Sequence, residues 1–148
     1  MPVWTILYSV AFWPCLFAVG AACLLWGTRS QKCVALVLVV GLTLGQLSLS
    51  AIDYRGLERR LAMIDMIMLC LLVACAMWKP RLPLIFVAAF QLVAVMGHLA
   101  RIIDPRMDRL TYAILTGATA YCLLIALITD LTLLTLRRRS QARHRAFD

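Results

Sequence analysis

The sequence predicts an all-α fold, a polytopic bundle of transmembrane helices, and three observations carry this prediction. The 148 residues are 64% hydrophobic, and their mean hydropathy is +0.90. Only 15% of them are charged, against about 25% in an ordinary soluble domain. The apolar residues fall in long runs separated by short polar links. A soluble protein of this size could not bury so much apolar surface in one core.

Five runs approach or exceed the span of about 20 residues that crosses a bilayer. They lie at about 4–26, 33–52, 61–78, 84–101 and 110–132, in a helical bundle placed at 1–136 and followed by a basic cytoplasmic tail at 137–148. The first run has Trp26 at its end, where rings favour the membrane interface, and Pro14 inside it predicts a kink. No Lys or Arg precedes it, so we expect an anchor rather than a cleaved signal.

The second run contains Gly41 and Gly45, a GxxxG pair that places two glycines on one face and indicates close helix packing. Gln46 and Ser48 make the end of this run more polar. The third run carries Asp65 a little over one turn from its start. The link that follows, 79–83, holds two prolines that end one helix and begin the next.

The fourth run carries Gln91 and His98, which are seven residues apart and so lie on nearly the same stripe of a helix. Polar groups on one stripe of an apolar helix indicate a face turned toward other helices. The run leaves through Arg101 and Asp104, and the proline after Asp104 predicts its end. The fifth run is apolar until Thr129, which predicts that the next residue, Asp130, lies at an interface.

The distribution of Lys and Arg predicts the orientation of the bundle. Five spans put the termini on opposite sides, with nine Lys and Arg on the side of the C-terminus and six on the other. The side richer in basic residues is normally cytoplasmic. The sequence therefore predicts an outside N-terminus and a cytoplasmic C-terminus; a four-span arrangement would alter it.

In this topology, polar groups from several spans converge on the outer half of the bundle. The predicted polar intramembrane cluster consists of Asp65, His98, Arg101, Asp104, Gln91, Gln46 and Ser48. Burying Asp65 in the membrane carries the largest free-energy cost of the cluster, up to about 3 kcal/mol for a charge at the centre of a span. We expect His98 or Arg101 to pair with it. Three interpretations stay open: a structural clamp, a proton-coupled or ion-binding site, and a docking surface for a partner chain.

Catalytic and cofactor chemistry finds little support in the sequence. The six cysteines include no CxxC pair, so a zinc site, a thioredoxin-like pair and a disulfide framework are not indicated. One intramembrane histidine does not supply bis-histidine haem ligation. No phosphate-binding glycine loop or serine nucleophile elbow occurs. We predict no enzyme activity, no cofactor and no metal.

The net charge of +8 does not indicate nucleic acid, because most of the excess lies after Leu136. The basic tail residues are Arg137, Arg138, Arg139, Arg143 and Arg145. They serve either as determinants of topology or as ligands of anionic lipid head groups.

The run AAFQLVAVMGHLARIIDP, residues 88–105, with Tyr112 and Ala113 after it and Asp65 before it, resembles a pattern in small multipass bacterial membrane proteins that carry no named function. The resemblance implies the bacterial inner membrane and nothing about activity. The sequence as a whole predicts a non-enzymatic accessory or structural subunit that packs with partner membrane proteins or with itself. The alternative is a small ion- or proton-coupled transporter or channel that uses Asp65 and His98.

Overall fold

The computed structural model describes residues 3–49, 54–104 and 106–145, and within them the chain forms five α-helices and no β-strand. The helices are α1 (Val3–Trp26), α2 (Arg29–Leu49), α3 (Tyr54–Trp78), α4 (Leu82–Ile103) and α5 (Arg109–Arg145). The all-α prediction is confirmed. Residues 50–52 of the predicted second span, and the proline predicted to end α4, lie outside the described residues.

Four of these helices are long and apolar enough to cross a membrane, with stretches at Arg29–Ser48, Arg59–Trp78, Leu82–Ile103 and Ile114–Gln141. In α1 the described apolar stretch is shorter, Ala11–Trp26, and Pro14 lies inside the helix. The apolar helices fit a membrane protein. Five spans and their orientation stay predictions.

Two helices extend well beyond the apolar runs of the sequence. α3 begins at Tyr54, in the region predicted as a charged link, and α5 continues through the predicted tail to Arg145. Both extensions have a physical reason, since arginine, leucine, glutamine and alanine are strong helix formers. No glycine or proline follows Gly117. A hydrophobic run in the sequence therefore shows which part of a helix suits lipid, but it does not show where the helix begins and ends.

The helices pack mainly with their neighbours in sequence. α4 lies against α3 and α5, α2 lies against α1, α3 and α5, and α1 also contacts α5. The core between them is built from aliphatic side chains, including Val34, Leu38, Leu72, Leu84, Leu123 and Leu127. α3 contacts only α2 and α4 among the described helices, so it lies at the edge of the bundle.

The bundle has two ends, which we name after Asp65 and Asp130. The Asp65 end holds the N-terminal half of α3, the C-terminus of α4 and the N-terminus of α5. The Asp130 end holds the α1–α2 link, the α3–α4 link and the C-terminal half of α5. In the predicted topology the Asp65 end is the outer one and the Asp130 end is cytoplasmic.

Glycines mark the closest helix contacts. A Cβ at Gly41 would overlap the sulfur of Met68, whereas one at Gly45 would lie 3.7 Å from Leu61 Cδ2, an ordinary contact. Of the two glycines predicted for packing, Gly41 therefore admits the tighter approach, between α2 and α3. Gly97 does the same between α4 and α5, where an added Cβ would lie 2.9 Å from Leu115 Cδ2.

Candidate functional site

Asp65 of α3 binds two side chains of α4. Its Oδ2 lies 2.6 Å from His98 Nε2, and its Oδ1 accepts a hydrogen bond of 3.0 Å from Gln91 Nε2. The Gln91 amide also lies 3.3 Å from the Asp65 backbone oxygen. His98 and Gln91 are buried, while 19% of the Asp65 side chain is exposed. Both oxygens of the carboxylate thus have a donor.

The antiparallel α3–α4 pair explains why one aspartate reaches both residues. At 1.5 Å per residue, Asp65 lies about 20 Å before the end of α3, while Gln91 and His98 lie about 14 Å and 24 Å after the start of α4. Asp65 is therefore placed between them in height. The seven-residue spacing of Gln91 and His98 keeps both on the face that α4 turns toward α3.

His98 extends the network to a third helix. Tyr112 of α5 places its hydroxyl 2.8 Å from His98 Nδ1, and the two rings meet edge to face with centroids 5.5 Å apart. Gly97 precedes the histidine at the tight α4–α5 contact. We call these four residues, Asp65, Gln91, His98 and Tyr112, the Asp65 network.

The Asp65 network can satisfy two protonation states of the imidazole. A neutral ring donates from Nε2–H to the carboxylate and accepts the tyrosine O–H at Nδ1. A protonated ring donates from both nitrogens, and the tyrosine oxygen then accepts. The chain carboxylate–imidazole–phenol therefore holds three helices together and is also of the kind that can carry a proton.

Four members of the predicted cluster lie outside the Asp65 network. Arg101 donates to the backbone oxygen of Met107, and Asp104 accepts a hydrogen bond of 3.0 Å from the Arg106 backbone N–H, so both organise the α4–α5 link. Ser48 donates to the Leu44 carbonyl of its own helix at 2.8 Å, and Gln46 is exposed. His98, and not Arg101, is the partner of Asp65.

A second polar contact, at the other end of the bundle, escaped the sequence analysis. Gln31 Nε2 of α2 donates a hydrogen bond of 2.7 Å to Asp130 Oδ2 of α5. Gln31 is fully buried and only 4% of Asp130 is exposed. Asp130 is therefore buried against α2, while its predicted place at a membrane interface stays a prediction. In the described part of the chain, Asp130 forms no salt bridge with Arg137 or Lys79.

The start of α2 contains a signal that could have identified Gln31. Thr28 immediately precedes α2, and its backbone N–H donates to Gln31 Oε1 at 2.9 Å. Thr-x-x-Gln at a helix start is the capping-box pattern, in which the fourth side chain reaches back to the first backbone N–H. Gln31 thus caps α2 with its oxygen and binds α5 with its nitrogen. Nearby, a Cβ at Gly27 would overlap the Cys23 carbonyl oxygen. The lack of a side chain at Gly27 therefore allows the turn between α1 and α2 to be tight.

The basic residues of the predicted tail divide into three groups. Arg138 donates to the Trp26 carbonyl at 2.9 Å, which ties α5 to the C-terminus of α1. Arg139 is exposed, and Arg137 is exposed at the edge of a cleft between α4 and α5. The side chains of Arg143 and Arg145 lie outside the described part of the chain.

The described residues offer no composite metal site, because no three His, Cys, Asp or Glu side chains come together in them. All six cysteines are free thiols. Cys23 is buried, as expected of a small hydrophobic residue in a bundle, but Cys15, Cys33 and Cys70 are exposed on α1, α2 and α3.

The fold and the two polar contacts define an α-helical bundle of the membrane type, held by buried polar contacts at both ends. Comparison with known proteins adds no narrower class. No protein-family model, no curated protein and no solved structure matches this chain.

Proposed function

We propose that this chain is a non-enzymatic, multipass subunit of the bacterial inner membrane, which packs against a partner membrane chain or a second copy of itself. The Asp65 network then acts as a structural clamp. The proposal rests above all on α3, of which 11% of the apolar stretch is buried, against 28% to 39% in the other three transmembrane-length helices. Its outer face is rich in exposed apolar side chains, among them Met63, Met66, Ile67, Leu71 and Met77.

Asp65 distinguishes this face from a surface suited to lipid alone. Its side chain is 19% exposed, beside Met66, which is 42% exposed. A carboxylate that is open to hydrocarbon raises the free energy of the bundle, and a partner chain with a polar group at that level would relieve the cost. Methionine adapts its shape to irregular surfaces, which suits the same helix to contact with another protein.

Photo-crosslinking in membranes, combined with mass measurement, tests the proposal. A photoreactive residue replaces Met66 on α3 or, as the matched control, Val93 on α4, which is 43% exposed. We expect a protein adduct of one defined mass from position 66 and lipid adducts from position 93. The adduct mass separates a second copy from another chain. Lipid adducts alone at both positions, together with a monomeric mass in mild detergent, would contradict the accessory role.

A second candidate is a small proton- or ion-coupled transporter or channel, which the chain of Asp65, His98 and Tyr112 favours. This function predicts pH-dependent flux in liposomes that Asp65→Asn abolishes, with Asp104→Asn as the control because Asp104 lies outside the network. Flux that survives Asp65→Asn would remove Asp65 from the mechanism. A monomer with such flux would replace the accessory role.

A further inference from the structure

A cleft between α4 and α5 lies apart from the Asp65 network and has Asp130, of the second polar contact, in its wall. Its volume is about 700 Å³, and it lies at the Asp130 end between the start of α4 and the C-terminal half of α5. Most of its wall is apolar, with Phe86 and Phe90 from α4 and Ile125 and Leu133 from α5. Arg81 and Arg137 also line it, and the antiparallel course of α4 and α5 brings both to one end.

The cleft is elongated along the helices. From Arg81 to Phe90 the α4 side rises about 14 Å, and from Cys122 to Arg137 the α5 side rises about 22 Å. One end is therefore basic, and most of the remaining wall is apolar over a length that suits an extended hydrocarbon chain. A compact anion such as free phosphate would contact the basic end and leave the apolar part of the cleft unfilled.

The two arginines have no counter-ion of their own. In residues 3–49, 54–104 and 106–145, no salt bridge or side-chain hydrogen bond engages Arg81 or Arg137. Asp130 also lines the cleft; it is buried and its Oδ2 is bound by Gln31, so the lining holds two guanidinium groups against one carboxylate that pairs with neither of them. Guanidinium groups remain charged, and their planar N–H groups match the oxygens of a phosphate.

We infer that this cleft binds one anionic phospholipid, with its phosphate between Arg81 and Arg137 and an acyl chain along the apolar wall. The combination of two unpaired guanidiniums and an apolar channel matches the two parts of such a molecule, whereas an apolar partner helix would leave the arginines without an anion. In the predicted topology this end is cytoplasmic, and basic pockets between helices on that side bind anionic head groups. The inference does not depend on the accessory role.

Lipid titration with native mass spectrometry tests the site. The purified chain in mild detergent is mixed with phosphatidylglycerol or with phosphatidylcholine of the same acyl chains, and bound lipid is counted. We expect tighter binding of phosphatidylglycerol. The double variant R81A/R137A should weaken that binding by about 30-fold, from the usual contribution of two basic residues near an anionic head group.

The charge control is K79A/R139A, which removes two exposed cations from the same end but leaves the cleft intact. We expect less than about a threefold change for this variant, since its charges act only through the general surface potential. An equal loss in both double variants would show general attraction to a basic surface and would overturn the cleft site. Equal binding of the two lipids would overturn its selectivity for an anion.

A pair of filling variants tests the apolar part without altering charge. Ile125→Trp places an indole in the cleft, whereas Ile128→Trp lies on the same helix outside the cleft lining. Both residues are exposed, so neither change disturbs the core, and circular dichroism checks the helix content. We expect Ile125→Trp alone to reduce binding of phosphatidylglycerol by tenfold or more. Unchanged binding in Ile125→Trp would overturn the proposal.

Discussion

Gln31 Nε2 donates a hydrogen bond of 2.7 Å to Asp130 Oδ2 although 99 residues of sequence separate them. The same side chain accepts the Thr28 backbone N–H, so one amide fixes the start of α2 and holds it against α5. Both polar side chains are buried, and a buried polar group that loses its partner costs more than the hydrogen bond contributed. The stability of the Asp130 end therefore depends on Gln31, a neutral side chain that satisfies a buried carboxylate.

Gln31→Leu should lower the free energy of unfolding by about 1–3 kcal/mol, because Asp130 stays buried without its donor. Unfolding by SDS in mixed micelles measures the change. Gln46→Leu is the matched control, since Gln46 lies exposed on the same helix, and we expect it to be near neutral. Equal effects of the two variants would show that the Gln31–Asp130 contact contributes nothing.

Asp65→Ala should destabilise the bundle by about 1–3 kcal/mol, because both His98 and Gln91 lose their acceptor. A double-mutant cycle with His98→Ala should give a coupling energy above about 0.5 kcal/mol, the range for residues in contact. The parallel cycle of Asp65→Ala with Arg101→Ala should give coupling near zero. Stronger coupling to Arg101 would show that the arginine is the real partner.

Tyr112→Phe should lower the free energy of unfolding by about 0.5–1.5 kcal/mol, the net contribution of one hydrogen bond. With Asp65 ionised, and so only an acceptor, we expect a neutral His98 ring to hold its proton at Nε2, which donates to Asp65, while Nδ1 accepts from Tyr112. Nitrogen-15 spectra of labelled histidine distinguish the two tautomers. A neutral ring protonated at Nδ1 would contradict this arrangement of donors.

Gly41→Ala and Gly45→Ala should differ in sign although the residues are one helical turn apart. Alanine favours a helix over glycine by about 0.5–1 kcal/mol, and Gly45 has room for the added methyl group. At Gly41 the methyl group meets Met68, and overpacking costs about 1–3 kcal/mol. In a Met68→Ala background the Gly41→Ala change should become neutral or stabilising. Equal effects of the two alanines in the original background would rule out tight α2–α3 contact at Gly41.

The parts of the site that could be predicted from the sequence are those that helix geometry alone determines. The shared face of Gln91 and His98 follows from their spacing, and counting residues from the α3–α4 link places Asp65 at their level. Depth along a helix says nothing about which way a side chain points, however. That is why Gln46 and Ser48, at the correct level, do not join the Asp65 network.

Gln31 was missed for a different physical reason. Hydropathy places the start of the second run at Cys33, so Gln31 counts as part of a link, whereas α2 begins at Arg29. Helices continue past the apolar segment wherever propensity and capping allow. For the same reason α5 continues past Leu136 through the basic residues to Arg145.

The positions of Tyr112 and Asp130 on α5 have a mechanical consequence. They lie 18 residues apart, about 27 Å along the axis, and each is fastened to a different helix. A piston shift of α5 by a single residue, about 1.5 Å, would stretch both attachments together, and a rotation about its axis would swing both residues away from their partners. α5 is therefore fastened to α4 at one height and to α2 at another, with Arg138 adding a contact to α1, so a shift or rotation of α5 strains its contacts with several helices at once.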